Sequence, residues 1–405
     1  MDFNLEKDFA IFDKILSLRP EISPDGLKDD LQKFFLPYLE KLITIKKNKN
    51  SNQGLIVGVS AIQGAGKTTQ GEIVETLLAH FNYTSVSRSI DDDYITHLEL
   101  CRLRDIDARF IRRGVTHDIP LAILGLRDLR EMGEEPVLVS GYDKGANTGD
   151  GERFRFINPI AGLVQKLKVI EEELIVDQTK QILPVLKLTD AVYENRELIL
   201  PTRMGSDIPI IEPLLSKELV DFLQPLVGQE ISVSSNGEKI VFTGQTSTCL
   251  LDHGLPNGWR LVTKKPDFIF YDGWMLGARQ IQDESVFDAD LPALESPKAK
   301  QFAKDINKRL FDYEPLWQMI EFMNVLLVPN YQISIKWRDQ AEEVLRAKGE
   351  GMTHQQIVDF VHYFWRSVHP AIHIKRLAED ETRTQQVVVI NDDHSISEVL
   401  RVYKG

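Results

Sequence analysis

Cysteine is scarce in this chain: Cys101 and Cys249 stand far apart in 405 residues, without the paired spacing of a metal site. That excludes a disulfide framework and a zinc finger, and it suits a reducing compartment. Long apolar runs are lacking too. None approaches the roughly 18 residues that cross a bilayer, and the acidic start, Met1 to Phe9, lacks the basic and apolar regions of a signal peptide. The expectation is a cytoplasmic protein with no membrane segment. Positive charge is also short, 48 Lys and Arg against 61 Asp and Glu, for a formal charge of −13. A general nucleic-acid binder needs a basic face, so no nucleic-acid partner is expected. An anionic small molecule would have to be drawn in by a local cluster of Arg and Lys.

What the chain does carry is Gly58-Val59-Ser60-Ala61-Ile62-Gln63-Gly64-Ala65-Gly66-Lys67-Thr68-Thr69. From Ala61 it reads A-x-x-x-x-G-K-T, the phosphate-loop pattern with alanine for the first glycine. An apolar run, Leu55 to Val59, enters it. A helical pattern with Ile73, Val74, Leu77, Leu78 and Phe81 on one face leaves it, so strand, loop and helix come in the required order. Gly64 and Gly66 allow the backbone to curl, and the N–H groups from Gly64 through Ala65, Gly66, Lys67, Thr68 and Thr69 then nest phosphate oxygens at the positive end of a helix starting near Thr68. Lys67 would reach the β and γ phosphates of ATP, and the Thr68 hydroxyl would ligate Mg²⁺. The plainer reading is a glycine-rich turn that only joins a strand to a helix.

Ahead of the loop, residues 5 to about 47 read as two or three helices. Phe9, Phe12, Ile15 and Leu16 share one face, and Leu27, Leu31, Phe34 and Phe35 another, until Pro37 imposes a break or kink. Lys46 to Gln53 reads as a surface connector, which makes residues 1–53 an N-terminal helical segment and linker. Residues 54–153 then form the first part of a core, in which a second strand, Thr84 to Ile90, ends in Asp91-Asp92-Asp93-Tyr94. Open α/β sheets place ligand chemistry at such strand ends. Crowded acids repel one another, and Mg²⁺ removes the conflict, although a helix cap would also use Asp. An Arg-rich helical stretch, Gly114 to Pro120, a helix to about Met132 and a third strand, Pro136 to Ser140, lead into the glycine-rich loop Gly141 to Arg153. It reads as a substrate loop or as an ordinary surface loop.

Residues 154–265 change pattern. A helix over Pro159 to about Ile182 and a hairpin, Glu230 to Ser235 and Glu238 to Thr243 about Asn236-Gly237, read as an inserted α+β subdomain. Residues 266–405 resume the core. Phe268 to Trp274 is an apolar strand ending in Asp272, the form of a second Mg²⁺ acid, and Asn324 to Val328 and Gln386 to Ile390 are further strands. Helical sequence with Trp337, Arg338, Gln340 and Arg346, before the turn Lys348 to Met352, suits either a lid that excludes water or a solvated amphipathic helix. The expected fold is α/β, of the P-loop NTPase-type three-layer kind, with a mostly parallel five-stranded sheet, a helical lid and the inserted subdomain.

Several strings recur in one order along about two thirds of the chain: Gly58 to Ala61 through Gly66-Lys67-Thr68-Thr69, Ser89-Ile90-Asp91-Asp92 with Tyr94, His117-Asp118 with Pro120-Leu121, and Tyr142-Asp143-Lys144. Gly273-Trp274-Met275-Leu276-Gly277, Asn307-Lys308 and Trp337-Arg338 with Gln340-Ala341-Glu342 follow. In these the chain resembles the D-glycerate 3-kinase family of plants and fungi, within the phosphate-loop kinases that include uridine kinase, phosphoribulokinase and bacterial pantothenate kinase. The resemblance implies ATP-dependent phosphorylation of a hydroxyl on a small carboxylated polyol, D-glycerate first, giving 3-phosphoglycerate. It implies Asp91 as the base, Thr68, Asp92 and Asp272 as Mg²⁺ ligands, and Lys67 and Arg338 offsetting charge on the transferring group. His117, Tyr142, Lys144 and Arg153 are the candidates for holding the acceptor. The chain departs from the family's usual residues at Asp93, Gly141, Gly145, Glu152 and Asp272. Three of them, Gly141, Gly145 and Glu152, lie in the loop expected to hold the acceptor, so two alternatives stand beside D-glycerate: another alcohol (nucleoside, sugar or pantothenate-like), or an ATP-binding regulatory protein whose insertion docks a partner.

Overall fold

The computed structural model describes residues 9–18, 20, 22–49, 51–134, 137–153, 260–346 and 351–402, with four strands at 173–176, 181–184, 231–235 and 238–242. They fall into two units: Met1–Asp91, Leu100–Glu131 and Pro266–Gly405 form the first, Asp92–Glu99 and Met132–Lys265 the second.

In chain order the elements begin α1 (Phe9–Leu18), α2 (Pro24–Asp30), α3 (Leu36–Asn48), β1 (Leu55–Ala61), α4 (Lys67–His80), β2 (Ser85–Ser89), α5 (His97–Ile106) and α6 (Ile119–Glu131). Short strands follow: β3 (Val137–Val139), β4 (Tyr142–Asp143), β5 (Glu152–Arg153), β6 (Glu173–Val176), β7 (Gln181–Pro184), β8 (Ile231–Ser235), β9 (Glu238–Phe242) and β10 (Arg260–Val262). The chain continues with β11 (Phe268–Gly273), α7 (Pro297–Arg309), β12 (Phe322–Leu327), α8 (Ile333–Arg346), α9 (His354–Ser367), α10 (His373–Glu379), β13 (Gln386–Ile390) and β14 (Ile396–Val402).

The first unit is built on one sheet of strand order β14-β13-β12-β1-β11-β2. Five strands are parallel, and β14 pairs antiparallel with β13. The sequence leads to five strands in this sheet; there are six. Alternation sorts the buried strands between two helical layers. Leu55, Val57, Phe268, Phe270, Phe322 and Leu326 face a core shared with α1, α3 and α4. On the opposite face of β2, Arg88 is wholly buried against α6, where Gly125 leaves the space its guanidinium fills.

The N-terminal helices show why Pro37 breaks nothing. Ser23 caps α2, its Oγ accepting from the Gly26 amide at 3.1 Å. The helix then widens into a single π turn, Leu31–Phe35, and Pro37 sits in the first turn of α3, where no N–H is needed.

In the second unit β3 pairs antiparallel with β10, so the expected third strand is not a member of the large sheet. A four-stranded sheet, β7-β6-β8-β9, contains the predicted hairpin, with Ser235 opposite Glu238; the Asn236-Gly237 turn itself lies outside the described residues. The predicted helix over Pro159 to Ile182 is corrected at its C-terminal end, where Glu173–Val176 and Gln181–Pro184 are paired strands. Its remainder lies outside the described residues. Both segments are short apolar runs, for which periodicity alone does not separate helix from strand. Among the described residues no helix is long and apolar enough to cross a membrane.

Candidate active site

The candidate phosphate loop takes its shape from two left-handed residues, Gly64 at φ +82° and Gly66 at φ +80°. Glycine enters that region without the penalty a Cβ brings. Gly66 is the N-cap of α4 and offers no side chain, so the first-turn amides of Lys67, Thr68 and Thr69 keep the orphan-donor character of a helix start. Helix α4 therefore begins at Lys67, one residue before the predicted start. Lys67 Nζ donates to the carbonyl oxygens of Ala61 and Ile62, both at 3.1 Å, folding the amine back over the strand-to-loop junction. Ala65 is buried, and Thr68 is exposed in the first turn.

A wall the sequence did not reveal supports this loop. A Cβ on Gly64 would lie 2.8 Å from Trp337 Cβ, so the loop backbone rests directly on α8. Trp337, 5% exposed, stacks on His394 with centroids 4.4 Å apart, and its Nε1 donates to the Asp392 carbonyl at 2.9 Å. His394 lies in the β13–β14 turn at φ +66°. Asn391-Asp392-Asp393-His394-Ser395 before the alternating run of β14 is a hairpin signal that would have located this turn.

The acids arrive from neighbouring strands. Strand β11 lies between β1 and β2, with Asp272 level with Val59 on one side and Ser89 on the other. Ser89 Oγ donates to Asp272 Oδ1 at 3.2 Å and also accepts the Asp91 amide at 3.3 Å. The carboxyl ends of β1, β11 and β2 thus carry the loop, Asp272 and Asp91 in that order. Two strand spacings, roughly 10 Å, separate the strands that bear Lys67 and Asp91. Asp92 opens the second unit.

Arg338 on α8 pairs with Glu342, Nη2 to Oε1 2.6 Å, and its guanidinium lies 5.3 Å from the Phe360 ring centroid. Glu342 is buried and also accepts the Met352 amide at 3.0 Å, which ties α8 to the start of α9.

His117, 7% exposed, precedes α6, whose Leu121 amide donates to Asp118 Oδ1 at 3.2 Å. Asp118 is thus a helix-capping acid. The phenol of Tyr313 lies 2.7 Å from His117 Nδ1, a partner absent from the sequence reading.

In the second unit β4 and β5 set Tyr142 opposite Arg153. Arg153, 3% exposed, donates through Nη2 to the Tyr94 carbonyl at 2.9 Å, and the Tyr142 ring packs on that of Tyr94 at 5.3 Å. Lys144 is exposed. Asp143 Oδ1 accepts the amides of Gly145 and Ala146 at 2.8 and 3.2 Å. Asp93 is wholly buried and accepts from Ser140 Oγ at 2.9 Å, which gives this departure from the family a structural partner.

ATP and Mg²⁺ fit the residues present. The doubly left-handed loop with its uncapped helix start suits phosphate, which backbone N–H groups recognise. Among the described residues no group of three or more His, Cys, Asp and Glu gathers as a metal cage. Mg²⁺ beside nucleotide phosphates needs none, being held by one or two carboxylates together with phosphates, water and, in a phosphate loop, a hydroxyl.

No family model matches the chain. An uncharacterized kinase of Schizosaccharomyces pombe, mug58, is 19% identical over 326 residues, which cover 79% of this chain and 81% of that protein. D-glycerate 3-kinase from Cryptococcus neoformans var. grubii superposes with a TM-score of 0.55 at 17% identity, covering 90% of this chain and 96% of its own. The YGR205w protein does so at 0.53 and 18%, covering 89% and 94%. At these identities the likeness is one of fold, and the fold is that of the Cryptococcus D-glycerate 3-kinase.

Proposed function

We propose that this chain is an ATP-dependent kinase for a small hydroxy acid, with D-glycerate the first candidate and 3-phosphoglycerate its product. The observation that carries the reading is the alignment of three strand ends: candidate phosphate loop, Asp272 and Asp91 follow adjacent strands of one parallel sheet. The S. pombe kinase supports the reaction class, and the name of the Cryptococcus D-glycerate 3-kinase supports D-glycerate as the first acceptor to try.

In this reading Lys67 exchanges its two carbonyl partners for β- and γ-phosphate oxygens, and the loop amides take the rest of the phosphate charge. Asp91 accepts the proton of the acceptor hydroxyl as its oxygen bonds to the γ-phosphorus and the bond to the β–γ bridging oxygen breaks. Thr68, Asp92 and Asp272 would hold Mg²⁺, whose chemistry here is to neutralise phosphate charge. Arg338 offsets charge on the transferring group, and holding it in line provides most of the acceleration. His117, Tyr142, Lys144 and Arg153 are proposed to hold the acceptor.

The test is ADP release on adding D-glycerate, abolished in Lys67→Ala and Asp91→Asn. A second reading keeps the kinase and changes the alcohol, and it is favoured by the buried Asp93–Ser140 pair beside the altered Gly141. Turnover with another alcohol and none with D-glycerate, in a panel of hydroxy acids, nucleosides and sugars, would select it.

A further inference from the structure

His117 and Tyr313 share one hydroxyl and too few protons for two arrangements. Tyr313 Oη lies 3.2 Å from the backbone nitrogen of His117 and 2.7 Å from Nδ1 of the same residue. The amide only donates, so it takes one lone pair of the phenol oxygen. If Nδ1 also carried a proton it would take the other, and the phenol proton would need an acceptor elsewhere. Tyr313 is 3% exposed, and among the described residues its hydroxyl has no further hydrogen-bond partner. A buried hydroxyl proton without an acceptor is costly, which disfavours that arrangement. Burial also raises the phenol's pKa well above its ordinary value, so it keeps the proton it donates.

The geometry points to His117 as a neutral imidazole that accepts at Nδ1 and is protonated at Nε2, with Tyr313 as the positioning residue that fixes this tautomer. Tyr313 is itself held. Its ring meets His117 edge-on at 85° and stacks on Trp317 with centroids 5.5 Å apart. Trp317 Nε1 donates to the Ala278 carbonyl at 2.8 Å. Ala278 follows the Gly273 to Gly277 turn, which leaves the strand of Asp272, so fixed contacts run from the strand-ending acid to the imidazole.

The tautomer gives His117 a chemistry. Its Nε2, the nitrogen turned away from Tyr313, is a buried hydrogen-bond donor, suited to a carboxylate or hydroxyl oxygen and unable to take a proton from one. His117 is thereby a recognition group for an oxygen-bearing acceptor, and the base is left to Asp91. This ligand assignment rests on the kinase reading, whereas the tautomer does not.

The experiment is ¹⁵N NMR of the full chain labelled at the histidine rings, with the His117 signals identified by their loss in His117→Gln. At neutral pH the expected pattern is a protonated Nε2 beside a non-protonated Nδ1. A protonated Nδ1, in either the neutral ring or the imidazolium, overturns the proposal. Tyr313→Phe keeps the ring packing and removes the hydroxyl, so the two tautomers should mix. A pure Nε2–H signal in that variant would overturn the role of Tyr313, and if the variant does not fold, the wild-type spectrum still decides the tautomer. With D-glycerate as substrate, Tyr313→Phe should raise the acceptor KM roughly tenfold, the weight of one hydrogen bond, leaving kcat and the ATP KM unchanged. The expected spectrum with no turnover of any alcohol would sink the kinase reading and leave the tautomer standing.

Discussion

The candidate phosphate loop and the loop from Tyr142 to Arg153 reach their shapes by opposite means. The first is made by backbone: two left-handed glycines, a helix start and strand register. The second is made by side chains. Asp143 takes two amides, Asn147 Nδ2 donates to the Gly151 carbonyl at 3.1 Å, the Tyr142 ring packs on Tyr94, and Arg153 donates through Nη2 to the Tyr94 carbonyl. Backbone amides read any phosphate, so a loop made of them serves a common donor. A loop shaped by side chains changes with a few substitutions, which makes it, in the proposed reaction, the place where acceptor identity would be altered without disturbing the donor half.

Lys67→Ala offers the largest test of this contrast. It removes charge and leaves the loop geometry, so turnover should fall roughly 10³-fold, with the melting temperature essentially unchanged. An enzyme of undiminished rate would end the idea that the loop grips ATP.

Acid should come next, because the backbone-built unit holds three buried histidines, His117, His369 and His373, and the 142–153 loop none. Burial pushes His369 down to about 4 and His373 to about 3, from an ordinary 6.5. His369 is neutral in the fold, its Nε2 donating to the Pro292 carbonyl and its Nδ1 accepting the Ala371 amide. Below pH 6.5 the unfolded chain binds protons that the folded chain refuses until those lower values. Stability is therefore full above about pH 6.5 and declines as pH falls towards 4 and 3. The loss from His369 should reach about 3 kcal/mol near pH 4. Urea midpoints followed by tryptophan fluorescence between pH 7 and pH 4 test this; a His369→Gln profile as steep as wild type would refute it.

Gly64→Ala places a Cβ at φ +82° and against Trp337, at a cost of about 2 kcal/mol in stability. Equilibrium unfolding should show that loss together with weaker ATP binding by calorimetry. Retention of both would mean that backbone shape is not what the loop relies on. Asp143→Ala should have the smallest effect, about 1 kcal/mol from two amide contacts. Its expected signature is a several-fold rise in acceptor KM at constant ATP KM, and a change confined to ATP would reverse the assignment of the two loops.

How much of this was legible follows the same divide. The strand, the glycine turn and the helix of the candidate phosphate loop, and Asp272 at a strand end, are legible because each is a local pattern. β14 was missed because its seven residues interleave Glu398 and Arg401 with apolar positions, the profile of an edge strand beside solvent. An apolar triplet such as Val137–Val139 carries no information on its pairing partner, so sequence does not separate it from the large sheet. Tyr313 behind His117, and Trp337 with His394 behind Gly64, join residues far apart in sequence, and only the fold brings them into contact.

The wedge of Trp337 under Gly64 has a consequence for biosynthesis. The loop is translated early, but the indole it leans on is steadied by a turn translated long afterwards. A nascent chain already holding strand, loop and helix would still want its buttress, so the loop should reach its final shape only once the antiparallel edge has zipped into place.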